Sequence, residues 1–114
     1  MAMRRMFSKA ITQSARFLRQ TPMARLLYYD LGMAADDDGA VEAFTVLRIT
    51  GATEEDLYAL ESCGLITILN DDLVCFINDW TKNNSIQKDR YHKSVYHEIL
   101  PCIQDVSIME TQVR

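Results

Sequence analysis

The sequence predicts a mainly α-helical fold that carries one small antiparallel β-hairpin. Apolar residues recur at helical spacing after Thr21-Pro22, a pair that is typical of a helix start. Gly51 and Gly64 each follow a short helical pattern, at the position where glycine commonly ends a helix. The runs LITIL and LVCFIND then have the composition of β-strands, and the letters NDD between them are typical of a turn.

The chain up to the first turn supplies an irregular segment and one amphipathic helix. Residues 6–22 are amphipathic without a regular period, and the helix that follows is expected to end in the turn AADDDGA. The apolar residues expected to pack are Ile11, Phe17 and Leu18 in the first segment, and Met23, Leu27, Leu31 and Ala34, with Leu26 and Met33 alongside, in the helix.

Two further helices are predicted before the hairpin. The second covers residues 41–50, and the third begins at the capping residue Thr53, with three acids in its first turn, where the helix dipole favours anions. The apolar residues assigned to these helices are Phe44, Val46, Leu47 and Ile49 in the second, and Leu57, Leu60 and Cys63 on the inner face of the third. Only a few residues separate the two, which is the spacing of a helix-turn-helix. Three helices followed by a hairpin is the order of a winged helix-turn-helix fold.

The pattern divides the chain into one domain and an extension. Residues 4–80 form the predicted winged-helix domain, and residues 81–100 form a basic and aromatic C-terminal helical extension packed on it. The extension is expected to be partly helical over residues 85–100 and to stop before Pro101, with residues 101–114 as a tail that frays. Trp80 is expected to pack against the hairpin.

Charge is distributed unevenly along this chain of net charge −4. Residues 1–29 carry six bases and no acid, residues 30–79 carry twelve acids against Arg48 alone, and residues 80–114 carry five bases and four acids. An acidic block between two more basic ends argues against a uniformly basic nucleic-acid binder.

The sequence indicates a cytoplasmic protein. No apolar run approaches the ~20 residues of a membrane helix, and the basic start lacks the apolar region of a signal peptide. Cys63, Cys75 and Cys102 have no metal-binding spacing and are expected to be reduced and mostly buried.

No residue pattern indicates catalysis, a cofactor, a metal or a small-molecule substrate. His92 and His97 are five residues apart and do not share a helix face, and no glycine-rich phosphate loop is present. Asp36, Asp37 and Asp38 are consecutive, whereas calcium loops need alternating ligands, so a solvated turn that caps the next helix is expected.

The third helix does not have the side chains of a DNA-reading helix. Its outward residues are Glu54, Glu55, Tyr58 and Glu61, and no Lys or Arg occurs over residues 53–64. Phosphates would be repelled there, so this face is expected to be either a solvated surface or a protein-binding surface.

A candidate DNA-binding surface follows the hairpin in the stretch DWTKNNSIQKDRYHKS. Bases can neutralise phosphates, while amides and aromatic rings add hydrogen bonds or stacking. The candidate residues are Lys82, Asn83, Asn84, Lys88, Arg90, Tyr91 and Lys93, with Arg4 and Arg5 extending the surface if the two chain ends lie together. The alternative is that these bases pair with the acidic block of the same chain or of a second copy.

Four motifs in this order resemble a known family. They are RRMFSKAITQSARF, YYDLGMAADDDGAV, GATEEDL and the pattern W-x-x-N-N-x-I-x-K-D-R-Y, and they span residues 4–96. Together they resemble the phage replisome organisers, which are distantly similar to the N-terminal winged helix of the primosome protein DnaD. The resemblance implies a winged helix, self-association, and a role in initiating phage DNA replication through DNA and a host replication protein.

Two functions are therefore expected as alternatives. The first is a non-enzymatic, replisome-organiser-like DNA-binding protein that acts as a dimer or larger assembly. The second is a protein-binding inhibitor or adaptor, such as a phage-encoded, nucleic-acid-mimicking inhibitor of a host nuclease defence system. Its candidate residues are Asp36, Asp37, Asp38, Glu54, Glu55, Asp56 and Glu61. The second is favoured by positions where the family commonly has bases and this chain has Ala35, Tyr58, Ser62, Asn78 and Gln87.

Overall fold

The computed structural model describes residues 5–84 and 93–100. About half of these residues are helical, and the rest include a small antiparallel sheet. The elements in chain order are α1 (Lys9–Thr12), α2 (Ala15–Leu18), α3 (Pro22–Ala34), β1 (Ala40–Glu42), α4 (Ala43–Thr50), α5 (Glu54–Ser62), β2 (Ile66–Ile68), β3 (Val74–Ile77), α6 (Trp80–Asn83) and a 3-10 turn (His97–Ile99). Helices α3, α4 and α5 are the three that the sequence predicts.

Helix α3 is the central helix, and its buried face differs from the predicted one. The side chain of Thr21 caps it as expected, by accepting a hydrogen bond from the backbone N–H of Ala24. The buried residues are Ala24, Leu27, Tyr28 and Leu31, followed by Ala35 just beyond the helix. The prediction that Met23, Ala34, Leu26 and Met33 pack inside is wrong, as it is for Leu18, since all five are exposed. Tyr28 accounts for the difference. Because its ring is buried, the buried face of α3 is rotated by about one residue from the predicted face.

The sheet has three strands in the order β1-β3-β2, all antiparallel. Cys75 in the middle strand is paired with Val41 on one side and with Ile68 on the other. The predicted hairpin is confirmed, and the Asn70 side chain stabilises its turn by accepting from the N–H groups of Asp72 and Val74. The sequence did not predict β1, whose residues Val41 and Glu42 fall in the predicted second helix.

Helices α4 and α5 begin and end as local chemistry dictates. Glu42 caps α4 by accepting from the N–H of Thr45, and Gly51 ends it with φ +81°, a conformation that favours glycine. Thr53 and Asp56 form a capping box at the start of α5, which confirms the predicted helix start. Leu57 and Leu60 are buried against the core as predicted, while two of the apolar residues of α4, Phe44 and Ile49, are exposed.

Helix α3 packs against both α4 and α5, and the core lies between these helices and the sheet. Trp80, three residues beyond β3, belongs to the core and is almost fully buried. None of the helices within residues 5–84 and 93–100 combines the length and the apolar run that a bilayer crossing requires.

Candidate partner-binding surfaces

The aspartate loop between α3 and β1 is an interior structure. Asp37 and Asp38 are fully buried, although the sequence predicts a solvated turn, so that prediction is wrong. Asp37 forms an ion pair with Arg5 at 3.4 Å, and its backbone carbonyl accepts a hydrogen bond from the Trp80 indole at 3.0 Å. Both partners are distant in sequence: Arg5 compensates the burial of the carboxylate, and the indole satisfies the buried backbone carbonyl. Asp37 and Asp38 are therefore not presented to a partner, contrary to the acidic-surface hypothesis.

The same loop holds the segment that follows residue 92. The backbone N–H of Ser94 donates to Asp38 at 2.9 Å, and the Ser94 hydroxyl donates to Asp36. The other carboxylate oxygen of Asp36 accepts from the N–H groups of Asp38 and Ala40, which shapes the turn. Burial raises the pKa of Asp36, although the hydrogen bond from Ser94 and those from the two backbone groups act in the opposite direction.

Three members of the predicted DNA surface point inward. The side chain of Arg5 is 3% exposed and donates to the carbonyl of Ala35 at 2.7 Å, besides pairing with Asp37. Asn83 and Asn84 are buried, and their oxygens accept from the backbone N–H groups at the start of the chain, at Ser8 (2.7 Å) and Met6 (2.8 Å) respectively. The prediction that these side chains face DNA is corrected accordingly, because Arg5 binds the N-terminal segment to the aspartate loop, and the two asparagines bind the same segment to the end of α6.

Two other members of that set are on the surface. The side chain of Lys82 is 66% exposed and lies 3.7 Å from Asp79, which Arg16 also contacts at 2.6 Å. Lys93 is exposed as well. Arg4, Lys88, Arg90 and Tyr91 lie outside the described residues, so four predicted members of the surface have no described position.

The exposed face of α5 is acidic. Glu54, Glu55, Tyr58 and Glu61 are all exposed, as predicted. The Tyr58 hydroxyl donates to Glu54 at 3.1 Å, and this hydrogen bond raises the pKa of Tyr58. Asp56 belongs to the same turn, but its carboxylate is occupied by the capping box. The exposed carboxylates of this helix are thus Glu54, Glu55 and Glu61, although one oxygen of Glu61 also accepts from the backbone N–H of Ile68.

A groove of about 800 Å³ lies between this face and the β2–β3 hairpin. Its lining combines acidic and large apolar side chains. The acidic ones are Glu54, Glu61, Asp71 and Asp72, and the large apolar ones include Phe44, Tyr58, Leu69 and Leu73. Sequence reasoning missed Phe44, Asp71 and Asp72 as site residues, because Phe44 counted only as an apolar residue of a helix and the two acids counted only as turn residues.

Over residues 5–84 and 93–100, no three His, Cys, Asp or Glu side chains are grouped as metal ligands. Burial, together with the charges of Glu61 and Glu42, raises the pKa of Cys75 to about 12, so its thiol is a poor nucleophile near neutral pH.

Comparisons of this chain with protein-family models, with curated proteins and with solved structures give no match, so the resemblance to the replisome organisers stays a prediction.

Proposed function

We propose that this chain is a winged-helix protein that acts without catalysis, by binding a positively charged protein through the exposed face of α5 and the adjoining hairpin. The winged-helix assignment is supported by the sheet order β1-β3-β2, with β1 placed between α3 and α4. It is also supported by the three-residue connection from α4 to α5, residues 51–53.

The groove between α5 and the hairpin is the observation that carries the proposal. Its lining includes four carboxylates and no Lys or Arg. In a helix-turn-helix protein the equivalent helix enters the major groove of DNA, where phosphates surround it. Carboxylates at this position repel phosphates, and they attract the Lys and Arg side chains of a protein.

Such a surface suits an adaptor or an inhibitor. A row of carboxylates on a small rigid domain can occupy a basic groove that otherwise holds nucleic acid, so the partner class we propose is a nucleic-acid-binding protein. A host nuclease that a phage must block is one member of this class. The protein acts by occupying the basic groove of its partner, and charge complementarity sets the rate of encounter and the choice of partner.

A second candidate function is DNA binding in replication initiation, by an assembly of two or more copies with a host replication protein. The favouring observation is that Lys82 and Lys93 are exposed at the two ends of a stretch that also contains Lys88 and Arg90. Four phosphate contacts would make the affinity fall steeply with salt, with a slope of roughly −0.9 per contact.

Two charge variants separate these functions. In the first, Glu54→Gln, Glu55→Gln and Glu61→Gln remove three exposed charges while keeping the acceptor oxygens that bind Tyr58 and Ile68. In the second, Lys82→Ala, Lys88→Ala, Arg90→Ala and Lys93→Ala remove the bases. Each protein is immobilised for capture from host lysate and is also tested in a gel shift with duplex DNA at ~100 mM salt.

Protein binding predicts that one captured host protein is lost with the first variant and kept with the second, and that no version shifts DNA. DNA binding predicts a gel shift that the second variant abolishes and the first leaves unchanged. A parent that shifts DNA and captures no protein in a charge-dependent way overturns the proposal.

A further inference from the structure

The groove beside α5 contains more apolar surface than a purely electrostatic contact needs. Phe44 is 54% exposed and Tyr58 is 47% exposed, and both rings line the groove with Leu73. Large apolar side chains at an exposed site are the usual anchoring points of protein interfaces, whereas scattered carboxylates alone supply steering. Carboxylates and exposed rings in one concavity therefore indicate a ligand that is itself both basic and apolar.

One backbone donor of the strand beside the groove is already bonded within the protein. Strand β2 is at the edge of the sheet, where an incoming strand could add by hydrogen bonds. The N–H of Ile68 in β2 instead donates to the carboxylate of Glu61 at 2.9 Å. Because α5 occupies this donor, strand addition along β2 is interrupted at Ile68, and we expect side chains to hold an occupant of the groove.

One ring of the groove already lies beside a guanidinium group of the same helix. Arg48 lies with its guanidinium carbon 5.9 Å from the centre of the Phe44 ring. This is a cation–π distance, so the surroundings of the ring are compatible with a cation beside its apolar contacts. Among the residues that line the groove, none supplies a positive charge, so a cation for its carboxylates has to come from outside the lining.

We infer that this groove binds a short amphipathic segment of a protein, in which Lys or Arg residues flank a leucine or an aromatic residue. The apolar side chain of the segment packs on Phe44, Tyr58 and Leu73, and its bases pair with Glu54, Glu61, Asp71 and Asp72. This inference rests on the proposed protein-binding function and adds the chemistry of the partner. It excludes acidic peptides and anionic lipid surfaces, which four carboxylates repel.

The test uses short fluorescent peptides of three compositions and measures their binding by anisotropy. One contains Lys and Leu, one contains Lys and Ser at the same charge, and one contains Glu and Leu. The Lys/Leu peptide is expected to bind about tenfold more tightly than the Lys/Ser peptide, because only the first has an apolar anchor, and the Glu/Leu peptide is expected not to bind.

Two pairs of variants locate the peptide. Phe44→Ala is expected to weaken Lys/Leu binding about fivefold, whereas Ile49→Ala, which removes an even more exposed side chain from the same helix outside the groove lining, is expected to leave it unchanged. Asp71→Lys, in the groove, is expected to weaken both cationic peptides, and Glu55→Lys, outside its lining, is expected to do so much less.

Equal binding of the Lys/Leu and Lys/Ser peptides overturns the inference, as does an equal effect of Phe44→Ala and Ile49→Ala. These outcomes are distinct from failure of the proposed function. If the peptides behave as expected and no host protein is captured, the groove chemistry stands without the adaptor role. If host capture depends on charge and the peptides fail, the adaptor role stands and the groove is not its site.

Discussion

The indole nitrogen of Trp80 donates a hydrogen bond of 3.0 Å to the backbone carbonyl of Asp37, across 43 positions of the chain. The same indole lies against Gly39, where a Cβ would be 2.7 Å from the ring atom Cγ. The aspartate loop is thus shaped around one aromatic ring. It needs glycine at residue 39 both for its φ of +84° and for the space that the ring occupies.

Replacing Gly39 by alanine is expected to destabilise the protein far more than the same change at Gly51. Both glycines have positive φ, so both substitutions add backbone strain of about 1–2 kcal/mol. Only the Cβ at residue 39 meets the Trp80 ring, while the space around residue 51 is open, so we expect Gly39→Ala to cost at least about 2 kcal/mol more. Urea unfolding of the two variants measures the difference, and equal free energies of unfolding would show that the ring moves aside freely.

The buried pair of Arg5 and Asp37 predicts a structural role for a base that the sequence assigns to DNA. Arg5→Ala leaves the Asp37 carboxylate buried without this cation and removes the guanidinium from above the Trp80 ring, 5.3 Å from its centre. Breaking a buried pair in this way is expected to lower the free energy of unfolding by about 3 kcal/mol. Lys9→Ala is the matched control, since Lys9 is exposed and its loss is expected to change stability by less than about 0.5 kcal/mol. A similar small effect for both variants would contradict this role.

Asn83 and Lys82 are neighbours on α6 with different expected roles. Asn83 accepts from the N–H of Ser8 and donates to the hydroxyl of Tyr28 at 2.9 Å. Asn83→Ala leaves both groups without this partner, so we expect a loss of about 2 kcal/mol in the free energy of unfolding and no change in any DNA affinity of the folded fraction. Lys82→Ala is expected to leave stability unchanged, since its side chain is exposed. If the Asn83→Ala variant is fully folded and still gives a weaker DNA gel shift than the parent, Asn83 does belong to a DNA contact surface.

Local chemistry explains why much of the helical part was predictable. The Thr21 and Thr53 caps, the glycines that end α4 and α5 and the Asn70 turn each act within a few residues, so a reader of the sequence can recognise them. The acidic character of α5 was predictable for the same reason, because capping and helical spacing determine which of its side chains face outward.

Long-range partners explain what the sequence did not reveal. Strand β1 has three residues and exists because it pairs with β3, more than thirty positions away. The burial of Asp37 and Asp38 depends on Arg5 and Ser94 from opposite ends of the described chain, which no local pattern indicates. The groove joins Phe44 on α4 with a turn near residue 71, so only the folded arrangement shows that apolar and acidic side chains share one site.

The titration of Asp36 predicts how the stability of the protein changes in mild acid. Burial raises the pKa of Asp36 above its ordinary value of 3.8, so at a pH between 3.8 and the raised value the folded state holds a proton that the unfolded state has lost. In that window the contribution of Asp36 to the free energy of unfolding falls as the pH rises, and at neutral pH its buried charge opposes folding. Asp36→Asn removes this titration, while its amide oxygen can still accept from the N–H groups of Asp38 and Ala40, and its amide nitrogen can donate to Ser94. We therefore expect the stability of Asp36→Asn relative to the parent to increase as the pH is raised through the window.

Ser94→Ala provides the opposite control. The Ser94 hydroxyl donates to Asp36 and lowers its pKa, so removing it is expected to raise that pKa further. The variant should therefore lose stability over a wider pH range than the parent does. In the double variant, which combines Asp36→Asn with Ser94→Ala, residue 36 has no carboxylate. The effect of Ser94→Ala on the free energy of unfolding is then expected to lose its dependence on pH. Denaturant unfolding of the four proteins at a series of pH values measures these differences. A pH profile for Asp36→Asn that runs parallel to that of the parent would show that this carboxylate titrates alike in the folded and unfolded chain, and would remove the buried loop as the source of the acid response.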